Sequence, residues 1–592
     1  MTRPVGPAPV GPSPVDPPPA DPTPVGPDVT RRRLLRGLGA GALGLAALPL
    51  AGCALEAAHA AGSSETPEDE LTFLISNLDG GWVPSKSAIS SYEANVWQQL
   101  TDKLVHTDEK GTITPWIAES WDVASDSTEF TLHLKDGVTF SDGTALDADA
   151  VVANLDVWAK GRPDAGIAKV GLFPGSTYDG AEALDERTVR VRFTAPSLSF
   201  LPTLGYHGCL LLSPESVTRS LGEQSDLAHQ IGSGPFVLDS WAASDHVTLV
   251  RREDYDWAPP VLGRSGAAAL RKLTFKVLPD DTLRASAARA HQSDVSYNVN
   301  PQVLDSFTEA GFTIEVPRYI GFTHGFRVRT NVAPFDDVRV RRAITRGIDR
   351  DEILRTVFTK DWESATSWLQ SSVPEAEDHS DLFPYDPDSA ARLLDDAGWT
   401  GRSDDGYRTK GGTELAFTLY PTPYLTGSVP EAELISQQLG RLGIRVATQK
   451  IDVAAYSGKV EDNPDQGLAE VTRSFVDAGT VAGVITADGE DWFALGDSDE
   501  RLADLAGRVA GTADRTERAG VIDELSQHVL EQAYFIPLEQ NVQRIYVQTP
   551  ELSGITVNAV AIPSYHAATK TGSGADGKGA DGRTSDGNGA DA

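Results

Sequence analysis

Apolar and polar residues alternate in several short segments of the chain, and this pattern predicts β-strands. In Glu129–Leu134 (EFTLHL) every second residue is apolar, which is the period of a strand with one buried face. Lys135-Asp136-Gly137 then predicts a turn. Similar apolar runs predict further strands at residues 71–75, 247–250, 273–277 and 444–446.

Other segments place apolar residues three or four positions apart and therefore predict helices. Residues 92–105 carry Val96, Leu100 and Leu104 on one helical face. Further helices are predicted at residues 151–158, 390–394 and 434–442. Because strands and helices are mixed and no internal repeat is present, the predicted fold class is α/β.

Local signals at the helix ends support these assignments. Asp147 or Asp149 is expected to cap the helix at residues 151–158. Asp386-Pro387 opens a helix, since proline is tolerated in the first helical turn. Gly443 follows the helix at residues 434–442, as glycine commonly does at a helix end.

Length and charge narrow the class of protein. A chain of 592 residues with 40% hydrophobic residues exceeds one ordinary core, so we expect two or more globular lobes. The net charge is −34, and without residues 1–52, which hold five Arg and three Asp, 46 basic and 82 acidic residues give −36. Nucleic acid is therefore excluded as a partner, because its phosphates require a basic face.

Residues 30–52 resemble a twin-arginine lipoprotein signal peptide, which ends in a lipobox at Cys53. Arg31 and Arg32 precede an apolar stretch at residues 38–50, which is too short to span a membrane at about 13 residues. Leu50-Ala51-Gly52-Cys53 follows. The resemblance implies cleavage before Cys53, a lipid on its thiol and attachment outside a bacterial cell membrane. A chance Arg- and Leu-rich segment near a cysteine is the alternative.

The flanking segments have compositions that do not support a packed core. Residues 1–29 are Pro-rich and are predicted to be a disordered extension, or to reflect a start codon assigned too early. Residues 53–70 are a predicted tether, and residues 567–592 a disordered Gly/Ala/Asp tail. With Cys53 lipidated, Cys209 has no partner, so no disulfide is predicted; a Cys53–Cys209 disulfide is the alternative.

Five separated segments, in order, resemble the extracytoplasmic solute-binding proteins of peptide- and nickel-type ABC importers. They lie at residues 115–154, 232–257, 334–353, 385–399 and 431–446, and they include the turns Ser141-Asp142-Gly143 and Gly234-Pro235. The resemblance implies a type II periplasmic-binding-protein-like fold with a hinged cleft between two lobes and an extra subdomain in lobe one. Lobe one is expected at 71–272 plus 536–566 and lobe two at 273–535, with crossings near 271–279 and 534–540.

The resemblance also suggests where a ligand would bind. In peptide-binding relatives an Asp in a late loop of the second lobe pairs with the ligand's amino group. Asp477 matches that position, within a segment that also holds Arg473 and Phe475. A turn or helix cap is the alternative role for Asp477. Tyr420 and Tyr424 stand where some dipeptide-binding members carry an Arg, so they are candidates to stack on a ligand, and packing is the alternative.

Further candidates are charged or aromatic residues near the expected cleft. Arg327, Arg329 and Arg473 could hold a carboxylate, a phosphonate or another anion, or they could pair with the many acidic residues. Trp82 and Trp368 lie in segments that border the cleft in relatives, and a core position is the alternative for both.

Motifs for catalysis or metal binding are absent from the sequence. No His-Glu-x-x-His, Gly-x-Ser-x-Gly or phosphate-binding Gly-Lys-Ser/Thr loop occurs. We therefore expect a monomeric, non-enzymatic solute-binding lipoprotein, without cofactor or metal, that delivers a peptide or peptide-like solute to an ABC permease and its ATPase subunits. The alternatives are a peptide-binding signalling or chaperone-like lipoprotein, an exported hydrolase, or a different ligand such as a metal chelate, an oligosaccharide or an organic acid.

Overall fold

The fold is described from a computed structural model. It covers residues 68–571 except 79, 89, 91, 109, 360–361, 472, 487–489 and 541–543. The predicted export signal with Arg31 and Arg32, the lipidation site Cys53, the Pro-rich extension and residues 572–592 lie outside the described residues. Within the described part of the chain, no helix is long and apolar enough to cross a membrane.

The described α-helices follow one another along the whole body of the chain. In chain order they are α1 (Pro84–Ser87), α2 (Glu93–Leu100), α3 (Ala148–Lys160), α4 (Phe200–Thr203), α5 (Pro214–Thr218), α6 (Leu221–Gln224), α7 (Asp281–Arg289), α8 (Leu304–Glu309), α9 (Val338–Gly347), α10 (Arg350–Val357), α11 (Pro387–Asp396), α12 (Ser428–Arg441), α13 (Val453–Tyr456), α14 (Val481–Ile485), α15 (Glu500–Gly511) and α16 (Arg515–Glu531).

The strands alternate with these helices. They are β1 (Glu70–Ile75), β2 (Val105–Thr107), β3 (Ile113–Pro115), β4 (Ala118–Val123), β5 (Glu129–Leu134), β6 (Tyr178–Asp185), β7 (Thr188–Phe193), β8 (Phe236–Ala242), β9 (His246–Arg251), β10 (Lys272–Val277), β11 (Val295–Tyr297), β12 (Thr313–Glu315), β13 (His324–Val328), β14 (Gly401–Arg402), β15 (Arg408–Lys410), β16 (Thr413–Glu414), β17 (Ala416–Leu419), β18 (Arg445–Thr448), β19 (Leu468–Val471), β20 (Phe535–Glu539), β21 (Tyr546–Gln548), β22 (Leu552–Ser553), β23 (Thr556–Val557), β24 (Pro563–Ser564) and β25 (Thr569–Lys570).

The first lobe is built on a seven-stranded mixed sheet with the order β12-β21-β11-β1-β10-β9-β8. Strand β1 lies between β10 and β11 and is parallel to both. Its side chains Leu71, Phe73 and Ile75 are buried in the core of this lobe together with Trp97 of α2. A central position in the sheet explains why β1 reads as an almost continuous apolar run.

An antiparallel sheet forms a separate layer of the first lobe. Its order is β4-β5-β7-β6, and α3 contacts β6. In β5 the predicted alternation is confirmed, because Phe130, Leu132 and Leu134 are buried whereas the residues between them are partly exposed. Asp147 caps α3 by accepting a hydrogen bond from the Ala150 amide at 2.9 Å.

The second lobe contains the sheet β19-β13-β20 and the parallel pair β17-β18. Strand β13 is antiparallel to both of its neighbours. Helix α12 packs on β18 and ends before Gly443, which has a φ of 82°. This confirms the predicted helix end, because the left-handed region favours glycine.

The strand pairing corrects the predicted passage between the lobes. Strands β10, β11 and β12 all belong to the sheet of β1, so the chain remains in the first lobe until residue 315 and crosses between residues 316 and 323. Strand β20 still belongs to the second lobe and β21 to the first, so the return crossing spans residues 540–545. The sequence placed both crossings too early because an apolar strand does not show which sheet it joins.

Two predicted boundaries also change. The helix expected at residues 92–105 ends at Leu100, and Thr101 is extended, with a φ of −134° and a ψ of 147°. The folded body continues beyond residue 566, because β25 pairs with β22 and Lys570 forms a 2.8 Å ion pair with Asp294. The apolar spacing that continues to Leu104 therefore extends beyond the end of α2 at Leu100, up to the start of β2 at Val105.

Candidate functional site

The two lobes approach each other along one face of each. Ser199 of the first lobe donates a hydrogen bond to Asp477 Oδ1 of the second at 2.8 Å. Gly171 faces Arg473 so closely that a Cβ on this glycine would lie 3.1 Å from Arg473 Nη2. Tyr424 of the second lobe packs against the hydrophobic core of the first. These contacts define the interlobe cleft, where we place the candidate site.

Arg473 lies on the second-lobe side of this cleft and forms an ion pair with Glu490. Its guanidinium forms two hydrogen bonds with the Glu490 carboxylate, at 2.6 and 2.9 Å, and its Cζ atom lies 5.6 Å from the centroid of the Trp492 ring. Burial opposes ionisation of Glu490, but Arg473 outweighs it and lowers the pKa of this carboxyl below its usual value. The pair therefore forms a polar wall with little net charge.

Arg327 and Arg329 are brought together by one backbone carbonyl. The Nη2 atoms of both residues donate to the carbonyl oxygen of Glu461. Burial lowers the pKa of Arg327 to about 10, and the positive charge of Arg329 acts in the same direction. The Nε atom of Arg329 has no hydrogen-bond partner. These two residues therefore form a positive patch whose charges are held mainly by carbonyl oxygens.

Asp477 makes several contacts within the protein. Its Oδ2 accepts from Arg518 Nη2 at 2.9 Å, while Oδ1 accepts from Ser199 Oγ and from the Gly479 amide, both at 2.8 Å. It is also the N-cap of a short 3₁₀ turn. Recognition of a ligand amine by Asp477 therefore stays a prediction, and a ligand ammonium would have to compete with Arg518 for this carboxylate.

Tyr420 and Tyr424 lie together in a small aromatic cluster with Tyr456. The rings of Tyr424 and Tyr456 meet edge to face, with 5.9 Å between their centroids. Lys459 Nζ lies 5.7 Å from the centroid of the Tyr420 ring. Burial raises the pKa of Tyr424 to about 12, so this phenol remains neutral at physiological pH. Tyr424 also packs against the first-lobe core, so this member of the cluster lies where the lobes meet.

The remaining aromatic candidates are packed inside the lobes. Trp82 meets Trp97 and Trp241 edge to face in the first-lobe core. Trp368 is buried and donates from Nε1 to Ser526 Oγ at 2.9 Å. Phe475 is buried against Phe322. For these three residues the structure shows packing contacts, and a direct ligand contact stays a prediction.

Arg544, on the return crossing between the lobes, was not among the sequence candidates. Its residue surface is only 2% exposed, yet its Nε and Nη1 atoms have no hydrogen-bond partner. No ion pair of Arg544 is found within the described part of the chain. A buried charge is costly unless it is paired, so the two unpartnered nitrogens make Arg544 a candidate for contact with an anion.

Tyrosine side chains surround Arg544. Its Cζ atom lies 5.8 Å from the centroid of the Tyr319 ring, which is on the first crossing. Burial raises the pKa values of Tyr319 and Tyr297, and the nearby charge of Arg544 partly opposes the shift in both. The hydroxyls of both tyrosines are buried and make no hydrogen bond of good geometry. Arg544 and these phenols thus form a group of buried donors beside the crossings between the lobes.

The comparisons with known proteins define the class. The family described as bacterial extracellular solute-binding proteins, family 5 Middle, matches residues 112–486, and the chain belongs to this family. Members of this class bind a solute outside the cytoplasm and work with an ABC permease; they are binding proteins rather than enzymes.

Individual relatives are more distant. The chain is 26% identical over 390 residues to the glutathione-binding protein GsiB of Pectobacterium atrosepticum, covering 63% of this chain and 69% of that protein. It is 25% identical over 383 residues to the GsiB protein of Escherichia coli strain K12, with the same two coverages.

Solved structures confirm the two-lobed α/β fold. NikA from Brucella suis, in complex with Fe(III)-EDTA, matches with a TM-score of 0.70 and 24% identity over 85% of this chain and all of that chain. The oligopeptide-binding protein AppA from Bacillus subtilis, in complex with a nonapeptide, matches with a TM-score of 0.72 and 19% identity over 85% of this chain and 99% of that chain. At these identities the likeness establishes the fold alone.

Proposed function

We propose that this protein is a lipid-anchored extracytoplasmic receptor that captures a small solute with an anionic group between its lobes and delivers it to an ABC importer. The observation that carries this proposal is Arg544, a buried guanidinium with two unpartnered nitrogens on the return crossing between the lobes. A ligand carboxylate placed against Arg544 would gain charge-assisted hydrogen bonds and remove the cost of the unpaired charge.

The ligand class follows from the chemistry that Arg544 recognises. Glutathione, peptides and EDTA chelates, which the related proteins bind by name, all carry carboxylates. Peptides or peptide-like acids are therefore the default ligands, while metal chelates and organic acids belong to the same chemical class. A neutral oligosaccharide offers no charge to Arg544 and is disfavoured.

Delivery depends on closure of the cleft. A solute that touches both lobes stabilises the closed arrangement, because its contacts with the two faces are made together only in that state. Arg544 and Tyr319 lie on the two crossings, so a solute held there sits beside the hinge. The lipid on Cys53 would keep the receptor close to its permease.

A pair of Arg-to-Gln variants tests the recognition step. Arg544→Gln removes the charge but keeps a polar side chain, and Arg501→Gln, on the exposed face of α15, is the matched control. The probes are glutathione and trialanine, each with a free C-terminal carboxylate and as its C-terminal amide, titrated by calorimetry.

We expect at least one free acid to bind the wild type and the Arg501→Gln variant, and to bind Arg544→Gln at least tenfold more weakly, a loss of about 1.4 kcal/mol or more. The wild type should prefer the acid over its amide. Equal affinity of the wild type and Arg544→Gln for a bound acid would contradict the proposed recognition.

A further inference from the structure

Four ionisable side chains meet in a buried cluster at the hinge end of the second lobe. His324 is the first residue of β13, after the first crossing, and Glu539 is the last residue of β20, before the return crossing. The Cα atoms of these two residues are partners in the sheet. Glu470 of β19 and Glu431 of α12 complete the group. We call these four residues the hinge cluster.

The contacts within the hinge cluster are short and centred on the imidazole. His324 Nδ1 lies 2.6 Å from Glu539 Oε1 and 3.5 Å from Glu431 Oε2. On the other side of the ring, Nε2 lies 2.9 Å from Glu470 Oε1. All four side chains are at most 2% exposed. Three carboxyl groups are thus gathered around one histidine without access to water.

The three carboxyl groups are not equally satisfied. Glu470 accepts hydrogen bonds from Ser428 Oγ at 2.7 Å, from the Thr422 amide and from His324 Nε2. In contrast, both oxygens of Glu431 and Oε2 of Glu539 have no hydrogen-bond partner. The oxygens without a hydrogen-bond partner therefore belong to the two carboxyl groups on the Nδ1 side of the ring.

The charge balance leaves room for a divalent cation. The buried guanidinium of Arg350, in α10, is influenced electrostatically by Glu539 and supplies one positive charge. Burial opposes a charged imidazole, but the surrounding carboxylates outweigh it and hold the pKa of His324 well above its usual value, while burial raises the pKa of Glu431. Without a metal ion, protons on these two groups therefore offset the charge of the cluster. A divalent cation that replaces both protons keeps this balance, since three carboxylates, Arg350 and two positive charges sum to zero.

We propose that His324 Nδ1, Glu431 and Glu539 bind a divalent first-row transition metal ion. The Nδ1 atom lies 2.6 Å from Glu539 Oε1 and 3.5 Å from Glu431 Oε2, so these three ligand atoms are close together. Ligand atoms of His324, Glu431 and Glu470 also lie within 4.8 Å of one another. One imidazole nitrogen with carboxylate oxygens suits Zn²⁺ or Mn²⁺. Glu470 then holds the Nε2 proton and fixes the ring orientation, as carboxylates do for metal-bound histidines.

The position of this site gives it a structural role that is separate from solute recognition. A metal ion there would tie the ends of β13 and β20, where the chain enters and leaves the second lobe, to the first turns of α12. The same α12 follows the segment that carries Tyr424. The site therefore fixes the hinge end of the lobe rather than contacting the solute.

The test measures metal binding directly. Wild-type protein, Glu431→Gln and the control Glu433→Gln, an exposed neighbour on α12, are purified and their metal content is determined by mass spectrometry. The same proteins, stripped with chelator, are then titrated with Zn²⁺, Mn²⁺ and, as a control ion, Mg²⁺. We expect one metal ion per chain and a raised Tm with Zn²⁺ or Mn²⁺ for the wild type and Glu433→Gln, and at least tenfold weaker binding for Glu431→Gln.

A second measurement does not depend on a variant that folds. Co²⁺ added to stripped wild-type protein should give visible absorption bands of a low-symmetry site with nitrogen and oxygen ligands. Failure of the wild type to bind any of these transition ions would overturn the proposal. In that case infrared spectroscopy should show a protonated buried carboxyl band that Glu431→Gln removes, which would mean that protons alone neutralise the cluster.

Discussion

Arg544, with 2% of its surface exposed, differs from the arginines that the sequence favoured in how its charge is compensated. Arg473 is neutralised by Glu490, and Arg327 and Arg329 share the carbonyl of Glu461. Arg544 instead keeps two nitrogens unpartnered. No motif marks it in the sequence, because its environment is created by Tyr297 and Tyr319, which arrive from distant segments.

The hinge cluster was missed for a similar reason. Its members stand at positions 324, 431, 470 and 539, so no spacing rule for metal ligands applies to them. The local signals are Glu539, at the end of the otherwise apolar strand β20, and Glu470, within the otherwise apolar strand β19. A charge in a strand that is buried along its whole length requires a partner, and the sequence does not reveal which one.

Asp102 gives the protein a pH dependence that can be measured. It accepts hydrogen bonds from Tyr255 and Trp257, but burial dominates and raises its pKa to about 6 from 3.8. The folded state therefore holds this proton at a pH where the unfolded chain has released it. The contribution of Asp102 to the free energy of unfolding should fall by about 3 kcal/mol as the pH rises from about 4 to about 6.

The variant Asp102→Asn isolates this effect. Denaturant unfolding at several pH values should show that the unfolding free energy of the wild type, relative to that of Asp102→Asn, falls between pH 4 and pH 6. Asp136→Asn, in an exposed turn, should keep the wild-type slope. An identical pH slope in wild type and Asp102→Asn would show that Asp102 titrates normally.

Asp477 is expected to matter for stability through Arg518. Both side chains are largely buried, with 11% and 8% exposed, and their atoms Oδ2 and Nη2 are 2.9 Å apart. Asp477→Ala leaves Arg518 with the more distant Glu375, at 3.7 Å. We expect the free energy of unfolding to fall by about 3 kcal/mol, as measured by urea denaturation.

The double variant Asp477→Ala/Arg518→Met provides the control for this ion pair. It removes both charges, so it should recover part of the loss. If Asp477→Ala unfolds at the same urea concentration as the wild type, the pair does not stabilise the fold. If it retains stability but loses a peptide ligand, the role first predicted for Asp477 is favoured.

Among the helices and strands, local sequence patterns predicted those features that depend on contacts between residues close together in the chain. The strand β5, the capped start of α3, the Asp386-Pro387 start of α11 and the glycine after α12 all appear as predicted. The helix at residues 92–105 was too long, since Leu104 continues the apolar spacing although the helix ends at Leu100. Burial by tertiary contacts produces such apolar positions outside helices as well.

The cap of α3 allows a direct test of one such local signal. Asp147→Ala removes the acceptor for the Ala150 amide and should lower the free energy of unfolding by about 1 kcal/mol. Asp149→Ala lies in the same first turn without serving as the cap and should cost only a few tenths of a kcal/mol, through the helix dipole. Equal losses in the two variants, measured by thermal unfolding, would contradict the capping role.

For the molecule as a whole, the two-lobed α/β architecture could be predicted, but the passage between the lobes could not. The five family-like segments identify the class, and the family match confirms it. The crossings depend on which sheet each strand joins. The pairing of β11 and β12 with the return strand β21 involves contacts between residues more than 200 positions apart, which no local pattern encodes.

In the proposed function, the cleft holds a solute with an anionic group against Arg544. Native mass spectrometry of wild-type protein purified from its own host tests this most directly, with Arg544→Gln prepared in parallel. We predict a non-covalent complex with one small molecule per chain that carries a carboxylate or related anion, and its loss from Arg544→Gln. A neutral bound molecule, or an anionic one retained equally by both proteins, would contradict the account.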